Sequence, residues 1–159
     1  MSSTAIVYYS LEGNTSYVAG LLAQKTGAEI IKLETVKEYP KNGFLKFFCG
    51  GRDATFGIRP ELKNAFPDFS QFSTIIIGTP VWAGKPSAPV NAFLHKAHIT
   101  GKRIALFACC GGGSTVNCFS KMKKKLEGNR IIAEETFITP ALTRGETVSR
   151  KIDMLAAKL

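Results

Sequence analysis

Apolar and polar positions alternate along this chain in two rhythms. Short continuous apolar runs recur, and between them apolar residues return every three or four positions. Thr4-Ala5-Ile6-Val7-Tyr8-Tyr9 is a run of the first kind, as expected for a strand covered on both faces. Tyr17, Val18, Leu21 and Leu22 then share one helical face, and Gly27 ends that helix. Residues 28–33 read as a second strand. Thr74-Ile75-Ile76-Ile77-Gly78 is the clearest buried strand, because its successive β-branched side chains suit a pleated, enclosed surface. A turn-rich segment, residues 79–86, precedes a helix with Val90, Phe93, Leu94 and Ala97 on one face. Residues 103–109 form the fourth strand, and Gly111-Gly112-Gly113 breaks the pattern. Val116, Phe119, Met122 and Leu126 make the next helical stripe, and residues 131–139 the fifth strand. Thr143-Arg144-Gly145-Glu146 has the spacing of a capping box. It opens a last helix with Val148, Ile152, Leu155 and Leu159 inward.

Strands alternating with helices predict a parallel sheet with helices on both faces, a three-layer doubly wound α/β sandwich. The 159 residues suit one domain, residues 1–159, and a chain of this size buries roughly 68–70% of its unfolded surface without help from metals or disulfides. Residues 34–73 break the rhythm and hold seven phenylalanines. Short helical pieces over the sheet edge, or a flap near a site, are expected there. The apolar runs are strand-sized, far from the ~20 residues that span a bilayer. The amino terminus enters a strand with no basic or signal-type block, so a cytoplasmic protein without membrane attachment is expected.

The four cysteines form no C-x-x-C and no zinc-type spacing. They read as reduced, buried or half-buried thiols. Neither a metal site nor a catalytic residue is expected; His95 and His98 read as helix-end surface residues. Formal net charge is +9. The cations are spread along the chain rather than gathered into a nucleic-acid footprint. One dense patch stands out, Lys121 with Lys123-Lys124-Lys125. It is either a solvated helix face or a docking surface for an acidic partner.

In open parallel sheets, ligands bind beyond the carboxyl ends of the strands, where strand order reverses. Three loops there carry unusual residues. The first is Ser10-Leu11-Glu12-Gly13-Asn14-Thr15. Its hydroxyls, and the backbone N–H groups of a helix amino terminus, make an anion site built from dipoles. It lacks the G-K-[ST] of a Walker A loop and the G-x-G-x-x-G of a dinucleotide fold. The second is Thr79-Pro80-Val81-Trp82-Ala83-Gly84, with the only tryptophan of the chain. The third is Cys109-Cys110-Gly111-Gly112-Gly113. The Cys-x5-Arg signature of small tyrosine phosphatases is absent, because Thr115 and Val116 stand at the required positions.

These loops, in this order, resemble those of the flavodoxin family. The first is similar to the family phosphate loop [ST]-x-[ST]-G-N-T, with Glu12 replacing the middle hydroxyl. The resemblance covers nearly the whole chain and implies a five-stranded parallel sheet of order 2-1-3-4-5. It further implies FMN held non-covalently by Ser10, Glu12, Gly13, Asn14 and Thr15 at its phosphate. Thr79, Pro80, Val81, Trp82, Ala83 and Gly84 would border the ring, with Trp82 stacking on it, and Cys109, Cys110, Gly111, Gly112 and Gly113 would hold the pyrimidine edge. Glu12 sets a carboxylate near a phosphate dianion. The third loop has glycines where relatives often have an aromatic wall, so that face is open or is walled from the Phe-rich segment. The implied function is electron transfer, with the flavin carrying the redox chemistry. An FMN-dependent NAD(P)H:quinone-type reductase, and a binding module that has lost FMN, are the alternatives. Relatives are usually acidic, whereas this chain is basic. A cation ~8 Å from the ring, at an effective dielectric of ~40, stabilises an anionic reduced flavin by roughly 1 kcal/mol. Acidic redox partners follow, with rates that fall as salt screens the encounter, and the protein is expected to be a monomer or weak dimer.

Overall fold

The computed structural model describes residues 3–159. Five parallel strands run β1 (Thr4–Tyr8), β2 (Glu29–Lys32), β3 (Thr74–Trp82), β5 (Arg103–Cys110) and β6 (Arg130–Ile138). Their spatial order is β2-β1-β3-β5-β6, the flavodoxin-like order expected for five parallel strands. A sixth strand was not anticipated. β4 (Lys85–Pro86) returns antiparallel on the end of β3, with Trp82 opposite Lys85. Its two-residue turn has Ala83 at φ 50 and Gly84 at φ 72, the positive values that a tight primed hairpin demands at both central positions.

The period of two along each strand sends successive side chains to opposite layers. Ile6, Ile76, Ala105 and Phe107 pack with Val18 and Leu22 of α1 (Asn14–Thr26) and with Val148, Ile152 and Leu155 of α6 (Glu146–Ala156). Val7, Ile75, Ile77 and Leu106 pack with Val90, Phe93 and Leu94 of α3 (Ala88–Lys96) and with Cys118, Phe119 and Met122 of α4 (Val116–Lys125). Most stripes read from helical spacing therefore face the core. Val116 does not. It is the first residue of α4 and is exposed, since the inward turn of that helix begins only at Cys118.

One local expectation fails and another holds in part. Residues 143–146 make no capping box. Gly145 is the residue before α6 and no side chain caps that helix. Thr143 instead closes α5 (Pro140–Thr143), where its hydroxyl donates to the Thr139 carbonyl at 3.2 Å. The Phe-rich stretch holds one three-turn helix, α2 (Gly43–Thr55), and a short 3-10 turn at Phe69–Gln71, rather than short pieces alone. α2 turns Gly50, Asp53 and Ala54 inward and leaves Phe44, Phe47 and Phe48 exposed. Its anchor is polar. The Tyr39 hydroxyl donates to Asp53 Oδ2 at 2.7 Å, and Arg52 reaches Asp53 Oδ1 at 2.7 and 2.8 Å. Burial, then the Asp53 carboxylate, pushes the Tyr39 phenol far up from its ordinary value, so it stays a donor. Among the described residues no helix is long and apolar enough to cross a membrane.

Candidate functional site

A cleft of ≈ 290 Å³ opens at the carboxyl ends of β1, β3 and β5, where the order β2-β1-β3 reverses direction. Each predicted loop reaches it. Ser10, Glu12, Asn14 and Thr15 come from the first, Pro80, Val81, Trp82 and Ala83 from the second, and Cys109, Cys110 and Gly111 from the third. Five predicted residues do not line it. Gly13 sits behind the first loop as the residue before α1, at φ 101, and donates its N–H to Ser10 Oγ at 3.2 Å. Thr79 is fully buried and bonded to Ser87, whose N–H it accepts at 2.9 Å. The Gly84 carbonyl is turned to Asn117 Nδ2, 3.0 Å away. Gly112 and Gly113 lie beyond the rim, outside the lining. Sequence reasoning missed Leu11, Lys46, Phe47, Gly51 and Thr139, which do line the cleft.

At the first loop, α1 begins without a side-chain cap and without an acidic residue in its first turn. Its leading N–H groups have no intrahelical partner, and the helix dipole leaves them positive. Thr15 adds a second feature. Its residue exposure is 1%, it lines the cleft, and its hydroxyl oxygen has no hydrogen-bond partner. The Cys109 thiol interacts with it, but not in hydrogen-bond geometry. Burial pushes that thiol up to about 12, which makes it inert rather than nucleophilic. Thr74 also carries an unpartnered buried hydroxyl, but it stands at the amino end of β3, away from the cleft.

Glu12 is balanced from the segment that the pattern did not resolve. Lys46 of α2 forms an ion pair with it and also lies 4.8 Å from the centre of the Phe47 ring. The carboxylate beside the anion loop is thus paired with a cation that itself lines the cleft. Trp82 is half-buried. The backbone of Gly50 lies against its indole, so closely that a Cβ there would sit 3.2 Å from Cδ2 and Cε3. The rings of Tyr39 and Tyr9 meet it edge-on at 4.9 and 5.7 Å. Phe47 provides an aromatic wall from the Phe-rich segment. Among the described residues no cluster of His, Cys, Asp or Glu is placed to hold a metal ion.

This fold, with an uncapped helix end and aromatic rings lining a cleft at its switch point, defines a doubly wound α/β protein. The flavodoxin family profile matches residues 3–150, and the chain belongs to that family. No curated protein sequence matches it. Among solved structures it is similar to a flavoprotein of Lactobacillus acidophilus NCFM in complex with FMN. The TM-score is 0.75 at 20% identity, over 90% of this chain and 98% of that one. A Bacteroides uniformis ATCC 8492 structure gives 0.78 at 21% identity, over 96% and 98%. The flavodoxin of Streptococcus pneumoniae TIGR4 gives 0.64 at 17% identity, over 99% and 97%. At these identities the likeness is one of fold.

Proposed function

We propose that this flavodoxin holds one FMN non-covalently in the cleft and passes electrons between protein partners. One observation carries the reading. The buried, unpartnered Thr15 hydroxyl stands beside the uncapped start of α1, on a cleft walled by aromatic rings. A phosphate satisfies the hydroxyl and the helix N–H groups together. Ser10, Asn14 and Thr15 would hold the phosphate, Trp82 and Phe47 would flank the ring, and backbone groups at Cys109, Cys110 and Gly111 would meet its polar edge. Bound there, the flavin supplies reversible electron uptake, and the protein supplies position and field.

Titration of the purified protein with FMN and with riboflavin, followed by flavin fluorescence, tests the site. FMN is expected to bind at least tenfold more tightly, a difference of about 1.4 kcal/mol from the phosphate contacts. Equal binding of the two flavins would remove the phosphate site. Steady NAD(P)H oxidation by the FMN-loaded protein alone would favour the reductase reading over the carrier.

The net charge of +9 supports acidic redox partners, met fastest at low ionic strength. The four free cysteines, two of them buried, suit a reducing compartment such as the cytoplasm. The Lys46–Glu12 pair carries a further expectation. Lys46→Gln leaves Glu12 unbalanced beside the phosphate and weakens FMN binding by roughly threefold, within the ~1 kcal/mol span of partly exposed pairs. Adding Glu12→Gln restores it, and the same fluorescence titration on the single and double variants reads both steps.

A further inference from the structure

A second cavity, of ≈ 360 Å³, opens on the far side of the β3–β4 hairpin. Four elements and a loop converge on it, with Ala54 and Thr55 coming from the end of α2. Arg59 comes from the chain after α2, Lys85 from β4, Asn91 from α3, and Lys121, Lys124 and Lys125 from α4. Five of these are cations, and no carboxylate lines the cavity. Asp53, next to Ala54 of the lining, is turned inward to Tyr39 and Arg52, and Glu61 and Glu127, two residues from Arg59 and Lys125, stand outside the lining.

The lysine-rich helix α4 is sorted by face. Lys121, Lys124 and Lys125 stand at i, i+3 and i+4 and so share one side, the side that lines this cavity. Lys123 points elsewhere and pairs with Glu134 of β6 at 2.7 Å. Of the five cations, Lys85 alone has a partner, the Thr55 carbonyl at 3.1 Å. Among the described residues the side chains of Arg59, Lys121, Lys124 and Lys125 make no ion pair or hydrogen bond. The dipole of α4 accounts for lysines in its own last turn. It does not account for Arg59 and Lys85, which two other segments bring to the same place. Like charges gathered without counter-charges oppose folding, so the arrangement has a local cost that an anion would relieve.

We propose that this cavity binds a small molecule carrying two or more phosphate groups, of nucleoside-diphosphate size. The guanidinium fork of Arg59 and the ammonium groups of four lysines match phosphate oxygens. The Asn91 amide adds a donor and an acceptor. Ala54 and Pro86 give an apolar floor, and the volume lies in the range of small-ligand pockets. A concave site of dense charge selects a compact polyanion over an extended acidic protein face. The hairpin separates this cavity from the cofactor cleft, since Lys85 of the one pairs in register with Trp82 of the other. The inference therefore stands whether or not FMN occupies the first cleft.

The test uses the full chain with its first cleft saturated by FMN and the free flavin removed, so that the added phosphates cannot report from that cleft. Inorganic pyrophosphate, ADP and AMP are titrated at low and at physiological salt, by calorimetry and by amide chemical shifts. Pyrophosphate and ADP are expected to bind more tightly than AMP, to move the amides of Lys85, Asn91 and Lys124, and to weaken with salt. The combined variant Arg59→Gln, Lys124→Gln, Lys125→Gln should lose at least tenfold in affinity, a difference of about 1.4 kcal/mol. Lys25→Gln, which removes a cation paired with Asp153 elsewhere, should lose none. An unchanged FMN titration shows that the variants remain folded. Absence of saturable pyrophosphate and ADP binding at low salt overturns the proposal. So does binding that the triple variant leaves intact, or an oligoglutamate peptide that binds more tightly than pyrophosphate.

Discussion

Thr15→Val is expected to weaken FMN binding by roughly tenfold to a hundredfold, the equivalent of one hydrogen bond to a charged group at about 1.5–3 kcal/mol. The same change should leave the FMN-free protein equally stable or up to about 1 kcal/mol more stable. The two halves of this expectation share one cause. Thr15 is buried and its hydroxyl has no partner. Without a ligand it therefore carries a desolvation cost that valine, nearly isosteric, does not. Valine keeps the β-branch, so backbone preference in the first turn of α1 barely changes. Thermal unfolding without FMN and fluorescence titration with it separate the terms. Thr15→Ser, which keeps the hydroxyl, should retain most of the affinity. Thr74→Val is the control, since Thr74 has the same unpartnered hydroxyl away from the cleft. It should change stability and leave FMN affinity alone. A Thr15→Val protein that loses stability and keeps its FMN affinity would make Thr15 a structural residue and remove the main support for the phosphate site.

How much of this site is legible in the sequence follows from which residues point inward. The strands were readable because β1 and β3 are enclosed by helices on both faces, so almost every position is apolar. The three loops were readable because hydroxyls, glycines and a lone tryptophan stood directly after such strands. Helix α2 was not. Its exposed face carries Phe44, Phe47 and Phe48 while its buried face is Gly50, Asp53 and Ala54, which inverts the pattern by which helices are recognised. A glycine is inward where a Cβ would meet the Trp82 indole at 3.2 Å, closer than side chains usually pack. An aspartate is inward because Tyr39 and Arg52 satisfy it. Because α2 escapes the pattern, so do Lys46, Phe47 and Gly51 of the cleft. One signal could have recovered the lysine. An acidic residue inside an anion-binding loop calls for a nearby cation, and Glu12 finds Lys46. The failed capping box is a lesson in competition. Its spacing is right, but the Thr143 hydroxyl donates to the carbonyls of Ile138 and Thr139, just ahead of α5, and that local choice wins.

The largest stability effect is expected at a glycine that lines no cleft. Gly78 lies in the middle of β3, opposite Phe107 of β5 in the parallel register. A Cβ built on Gly78 would fall 2.0 Å from Phe107 Cζ, with both Cε atoms within 2.6 Å. Phe107 cannot yield by swinging outward. Its exposure is zero, and its ring meets Phe137 of β6 edge-on at 6.2 Å. Gly78→Ala must therefore push apart two central strands or displace a ring on which the α1–α6 layer rests. Overpacking of this kind costs about 1–3 kcal/mol, occasionally more, and the rigid surroundings place this case at the upper end. For a chain of this length ~3 kcal/mol lowers the melting temperature by roughly 6–12 °C. Calorimetry on the FMN-free protein measures it. Phe107→Leu alone should also destabilise, by leaving a void where the ring was. The double variant should be more stable than the sum of the two losses predicts, because the methyl enters the space that the ring vacates. A coupling of at least ~1 kcal/mol in that cycle is the expected signature of direct contact. Additive losses would mean that the strain is relieved through the backbone of β3 instead. That strand ends at Trp82, so the relief would show as altered fluorescence of the single tryptophan at the cleft.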